Sequence, residues 1–255
     1  MRSSLRAAAL ATCVCVVPAF ASAEPRTDRG PNPHGGAFKL FGNAQMMRDP
    51  ENPQNIVLRV ISEGAPGFAA AGAYRDLRHV KLWHLDHQLS FRRAFVAPNT
   101  CDGGSPRIQL LIDADGDGRF EQAPAGPDFV AHGHVRPPFV GCETSAPTPA
   151  GDGPSPSTLR WRFEDLTDEQ IRWEITPGSV LPIGPIGGAG AVNWDTLEAA
   201  ISSAFPDHRV LRASLVEDFN LTAGTAYYDL VTVLELTLGT EGQENAPNPG
   251  PGRGN

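Results

Sequence analysis

"RIQLLIDADGDGRF", residues 107–120, decides the reading of this chain. Ile108, Leu110 and Ile112 recur with period two, and the run then meets Asp113, Asp115 and Asp117 with glycines at 116 and 118. Period two places alternate side chains on opposite faces of a strand, so the segment reads as a half-buried strand entering a turn.

The same period recurs on both sides of this stretch. Ile56, Leu58 and Val60, then Leu89, Phe91 and Phe95, Leu159, Trp161 and Phe163, and Ile171, Trp173 and Ile175 form apolar stripes between polar neighbours such as Arg160, Arg162, Arg172 and Glu174. Strands with one wet and one dry face stack as antiparallel sheets, so the expected fold is an all-β, antiparallel β-sandwich of roughly eight to ten strands. "HRVLRASLVEDF" (208–219) and "AYYDLVTVLELTL" (226–238) are more continuously apolar and belong nearer the middle of a sheet. One segment has helical period: Trp194, Leu197, Ile201 and Phe205 share a face, Asn193 suits an N-cap, and Pro206 stops the helix. That helix covers the sandwich.

Arg2 and Arg6 precede an apolar run, Ala7 to Phe20, that ends in Ala21-Ser22-Ala23. This pattern predicts an export signal over 1–23 cut before Glu24, with no membrane span in the mature chain. Cleavage also removes Cys13 and Cys15, leaving Cys101 and Cys142 as the only thiols of a secreted or periplasmic chain. In an oxidising compartment they are expected to form one disulfide, contributing about 3–4 kcal/mol through the constrained unfolded chain.

Losing Arg2 and Arg6 moves the net charge from −8 to −10, which disfavours nucleic acid as a partner. Residues 24–36 and 240–255 are rich in proline, glycine and polar residues and cannot bury enough apolar surface to order. The folded domain is therefore expected over 37–239, interrupted by loops at 143–157 and 177–191.

The strand ending at Asp113 is expected to pair with "DFVAHGHV", 128–135, with the aspartates in the connecting loop. Setting Cys101 opposite Cys142 puts Ile112 opposite Ala131. The disulfide and the acidic loop then occupy opposite ends of the hairpin, roughly 20 Å or more apart at about 3.4 Å per residue.

D-x-D-x-D-G matches the start of an EF-hand loop, but the twelfth position is Pro124 and the preceding element is a strand, so an EF-hand is rejected. Two readings stay open. Asp113, Asp115 and Asp117, with Glu121 or Asp128 and backbone carbonyls, form an oxygen cage for calcium of extracellular affinity, on the order of 0.1–1 mM. Alternatively, two successive Asp-Gly pairs simply turn the hairpin.

Other chemistry is sparse. His84-x2-His87 and His132-x-His134 have metal-like spacing, and the second pair would share a strand face, as zinc ligands can; scattered surface histidines are the simpler reading. There is no G-x-S-x-G elbow, and "GPIGGAG" (184–190) lacks the Lys-Ser/Thr of a phosphate loop. Trp161 and Trp173 lie on apolar stripes and Trp194 on the helix's apolar face, so they are assigned to the core. Trp83, set among Lys81, His84 and His87, is the tryptophan expected to be exposed and to contact a ligand.

The segments "YRDLRHVKLWHLDHQLSF", "CDGGSPRIQLLIDADGDG", "NWDTLEAA", "RVLRASLVEDF" and "YYDLVTVLELTL" resemble, in that order, a group of uncharacterised exported bacterial β-sandwich proteins. The likeness spans about residues 55–238 and implies a jelly-roll-like fold and export, without a catalytic residue to carry over. The expectation is a secreted, non-catalytic module, stiffened by calcium, that binds an extracellular glycan or a surface protein. The alternatives are a secreted hydrolase or lyase acting on a polysaccharide through carboxylates on the concave sheet face, and a purely structural surface component.

Overall fold

The computed structural model describes residues 36–50, 52–62, 70–96, 106–135, 161–168, 171–176, 181, 183, 190–217 and 224–239. The expected leader over 1–23, the expected disulfide partners Cys101 and Cys142, Leu159, and the segments 143–157 and 240–255 lie outside these residues.

Twelve strands and one α-helix follow one another: β1 (Lys39–Phe41), β2 (Ala44–Arg48), β3 (Ile56–Ser62), β4 (Ala71–Val80), β5 (Leu89–Phe95), β6 (Arg107–Asp113), β7 (Phe129–His134), β8 (Arg162–Asp165), β9 (Arg172–Ile175), α1 (Trp194–Ala204), β10 (Arg209–Glu217), β11 (Gly224–Val233) and β12 (Leu236–Leu238). A 3-10 turn, Leu82–Leu85, links β4 to β5. Two antiparallel sheets result. The first has the order β1-β4-β10-β6-β7-β9; the second runs β2-β3-β11-β5-β8, with β12 alongside the end of β11 that β3 does not reach. Successive strands repeatedly cross from sheet to sheet, and among the described residues β2–β3, β6–β7 and β11–β12 are the hairpins within one sheet.

The strand count exceeds expectation because β1, β2 and β4 carry no clean apolar alternation. In β4, Ala71, Ala73, Arg75 and Leu77 point inward, and two alanines and an arginine do not register as a stripe. The two continuously apolar runs do lie in mid-sheet, as β10 and β11. The second is not one strand, however: Leu234, in the left-handed region at φ 55°, turns it into the β11–β12 hairpin.

The helix follows the sequence closely. Asn193 caps it by accepting a hydrogen bond from the Thr196 amide, and Trp194, Leu197 and Ile201 are buried in the common core. Trp194 packs on Trp173 of β9 with centroids 5.1 Å apart, and Phe205 packs on Phe129 of β7 at 5.8 Å. The helix therefore seals the β7–β9 side of the first sheet.

The β6–β7 hairpin forms with a register two residues away from expectation: Leu110 faces Ala131, and Ile112 faces Phe129. An even slip keeps every side chain on its own face, so the stripe survives the error. The cause lies in the loop. Asp128 Oδ1 accepts from the Ala114 amide at 2.8 Å and Oδ2 from the Glu121 amide at 2.7 Å, which ties the end of the loop to its beginning.

A second correction concerns β8. The stripe Leu159, Trp161, Phe163 was expected to point inward, yet Phe163 is 61% exposed and Trp161 only half-buried. The parity is set by Arg93 of β5, which points inward between Phe91 and Phe95 and is 2% exposed. Its Nε donates to Glu164 at 2.8 Å. Leaving that guanidinium buried without a carboxylate costs more than exposing two aromatic rings, so Glu164 takes the inward side and the rings turn out.

Candidate functional site

The acidic loop follows β6. Asp113 is fully buried, and its carboxylate accepts from three amides: Oδ1 from Gly116 at 2.7 Å and Asp117 at 3.2 Å, and Oδ2 from Gly118 at 2.8 Å. Asp115 and Asp117 are exposed and accept from Asp117 N and Arg119 N. Gly116 adopts φ 75°, and a Cβ there would lie 2.5 Å from the Asp207 carbonyl oxygen, so the turn needs glycine on both counts.

Among the described residues, Asp113, Asp115 and Asp117 form the group whose donor oxygens all lie within 4.8 Å of one another. Oxygens sharing one calcium at about 2.3–2.6 Å lie within about 5 Å of each other, so the spacing fits. Glu121 and Asp128 are not in this group. Both Asp128 oxygens are engaged by amides, and burial pushes its carboxyl above the usual range, with Asp113 and Asp115 adding to the rise.

The turn after α1 sits between this loop and Trp83. Gly116 packs on Asp207, Lys81 Nζ donates to the Pro206 carbonyl at 2.8 Å, and the Leu82 amide donates to His208 Nε2 at 3.3 Å. Trp83 is 60% exposed, with its ring stacked on His84 at 3.5 Å between centroids.

The outer face of the second sheet is a second candidate. Arg92, on the solvent side of β5, faces Phe163 across the β5–β8 pairing, and its guanidinium lies 5.4 Å from the centre of the Trp161 ring. Two aromatic rings and a cation thus sit side by side on one edge of the sandwich. Tryptophans at positions 173 and 194 are buried, as expected, whereas Trp161 is not.

Several buried polar groups lay outside the sequence reading. Arg93 and Tyr228 face each other across the β5–β11 pairing on the inner face. Arg93 pairs with Glu164, and the Tyr228 hydroxyl donates to Glu217, so two inward glutamates are each tied to a neighbour. The signal was present: position 93 is the inward site missing from the Leu89, Phe91, Phe95 stripe.

The histidine pairs also differ from expectation. His84 accepts from the Lys81 amide, and the exposed His87 bonds Asp165 at 3.1 Å, which raises its pKa. His132 and His134 are buried on the outer side of the first sheet, with rings 6.3 Å apart, and His134 lies 3.7 Å from Glu174. They are not surface histidines.

Burial, with Arg107 and His134 contributing, holds His132 well below the usual imidazole range, and burial likewise lowers His208. The folded state therefore binds these protons more weakly than the unfolded chain. Stability from the neutral rings is complete above about pH 6.5 and falls as pH drops below it, by up to about 1.4 kcal/mol per pH unit for His132. Urea melts from pH 8 to 5 should show this decline, and His132→Gln should flatten it. Asp128 and Asp229, whose carboxyls burial raises, act with the opposite sign.

Among the described residues no helix is long and apolar enough to cross a membrane. Comparison of the chain with protein-family models, with curated proteins and with solved structures found no match.

Proposed function

We propose that this protein is an exported, non-catalytic glycan-binding β-sandwich whose acidic loop is stiffened by calcium. The observation that carries the reading is the outward turn of Phe163 and Trp161 beside Arg92. Burying Phe163 would have contributed about 1.5–3 kcal/mol, and its exposed ring beside the half-buried Trp161 suits stacking against sugar rings. The export signal expected from the sequence over residues 1–23 fits an extracellular setting for such a partner.

Titration of the mature chain with soluble glycans, followed by tryptophan fluorescence, tests the reading. Phe163→Ala should weaken the bound glycan about 10-fold, a loss of about 1.4 kcal/mol, without lowering the melting temperature. A melting temperature unchanged and an affinity also unchanged would remove the platform from the account.

Calcium should raise the melting temperature of EDTA-treated protein. Asp115→Asn should abolish that rise and leave the metal-free protein unaltered, because Asp115 is exposed while the buried Asp113 holds the turn. No calcium-dependent shift in the parent chain would leave the loop as a turn.

A polysaccharide hydrolase or lyase is the runner-up. The two glutamates that point into the sandwich, Glu164 and Glu217, are both engaged, by Arg93 and by Tyr228. An ion-paired acid and one hydrogen-bonded inside the core suit stability better than proton transfer, which favours the binding reading.

A further inference from the structure

We infer that the outer face of the second sheet selects carboxylate-bearing glycans, such as uronic-acid chains, with Arg59 and Arg92 as the cationic contacts; this rests on the glycan-binding reading above. Arg59 lies between the inward Leu58 and Val60 of β3 and so faces outward. Across the strands it is opposite Tyr227 of β11, which is opposite Ala94 of β5. Arg92 stands one pleat along β5, opposite Phe163. The two inter-strand spacings from β3 across β11 to β5, at about 4.8 Å each, separate the arginines by roughly 10 Å laterally, with the buried Tyr227 of β11 between their strands and the buried Ala94 two residues from Arg92 on β5.

The charges on this face are incompletely matched. Arg59 Nε is buried and has no hydrogen-bond partner, and among the described residues no carboxylate pairs with its guanidinium. A guanidinium offers five donors in a planar fork that fits a carboxylate, and an arriving acid would meet its terminal nitrogens, Nε itself being buried. Among the described residues, the carboxylate nearest Arg92 in an ion pair is Asp229, at 3.6 Å. Asp229 is itself occupied by Asn55 and by the Leu230 amide. In a chain of net charge −8, two outward arginines with weak internal compensation make this face a local exception.

The rings decide between acidic ligands. A carboxylate alone could come from an acidic peptide, but Trp161 and Phe163 beside the arginines offer flat faces for pyranose rings. The separation of the two cations also calls for a chain of sugars, because one carboxylate cannot meet both.

The test uses the mature chain with oligogalacturonate, its methyl-esterified form, a neutral glucan oligomer and poly-glutamate. Oligogalacturonate should bind at least 10-fold more tightly than the ester, with an affinity that falls as salt rises. Arg59→Gln should remove most of that preference, while Phe163→Ala should weaken both ligands alike; Arg59→Lys, which keeps the charge, should retain part of it and guards against a folding defect in the first variant. Equal binding of acid and ester, or an unchanged preference in Arg59→Gln, overturns the inference and leaves the glycan platform standing. Poly-glutamate binding as tightly as oligogalacturonate, with no effect of Phe163→Ala, overturns it in favour of an acidic protein partner. Binding of none of the four probes sinks the platform as well.

Discussion

Trp173→Ala should destabilise the protein by about 3–5 kcal/mol, lowering the melting temperature by roughly 6–20 °C. The ring is fully buried, donates from Nε1 to the Leu166 carbonyl at 2.9 Å, and packs on Trp194. Gly133 of β7, directly opposite in register, leaves it room: a Cβ there would come within 2.6 Å of the indole. The substitution therefore opens a cavity between β7, β9 and α1 and also strands the Leu166 carbonyl. Thermal unfolding followed by circular dichroism measures the loss. A change under 1 kcal/mol would mean that this corner is not a packed part of the core.

Glu164→Ala should cost a similar amount, about 3–5 kcal/mol, because it leaves the Arg93 guanidinium inside the sandwich without its carboxylate. The double replacement Arg93→Met with Glu164→Leu should recover most of the loss. A double-mutant cycle by urea unfolding separates this case from loss of packing. If the single variant is harmless, the ion pair does not set the parity of β8, and the explanation for the outward rings falls with it.

Those two variants probe opposite kinds of legibility. Trp173 sits on a stripe of period two, Ile171, Trp173, Ile175, and that stripe was readable because all three side chains enter the common core, although Glu174 on the other face of β9 is buried as well. The central places of β10 and β11 were readable for the related reason that continuous apolar runs suit mid-sheet positions. The capped helix was readable from Asn193, its apolar face and Pro206.

What resisted reading depends on partners far apart in the chain. The direction of Trp161 and Phe163 follows from Glu164, which follows from Arg93, 71 residues earlier. No local pattern contains that chain of causes, although an arginine at an inward position was a warning. Hairpin register failed for a similar reason, since it depends on Asp128 folding back to Ala114. Of the acidic loop, the convergence of Asp113, Asp115 and Asp117 was legible from spacing alone. The commitment of Asp128 to two amides was not.

Arg75 crosses the space between the layers. From the inner side of β4, in the first sheet, it donates to the Val233 carbonyl at the end of β11 and pairs with Glu235 in the following turn at 2.9 Å. A rivet of this kind makes peeling apart an all-or-none event, because parting the layers anywhere near it strands a charge in a greasy gap. Amide deuterium uptake in β4 and in the β11–β12 turn should accordingly rise together under mild denaturant, as one cooperative unit spanning both layers.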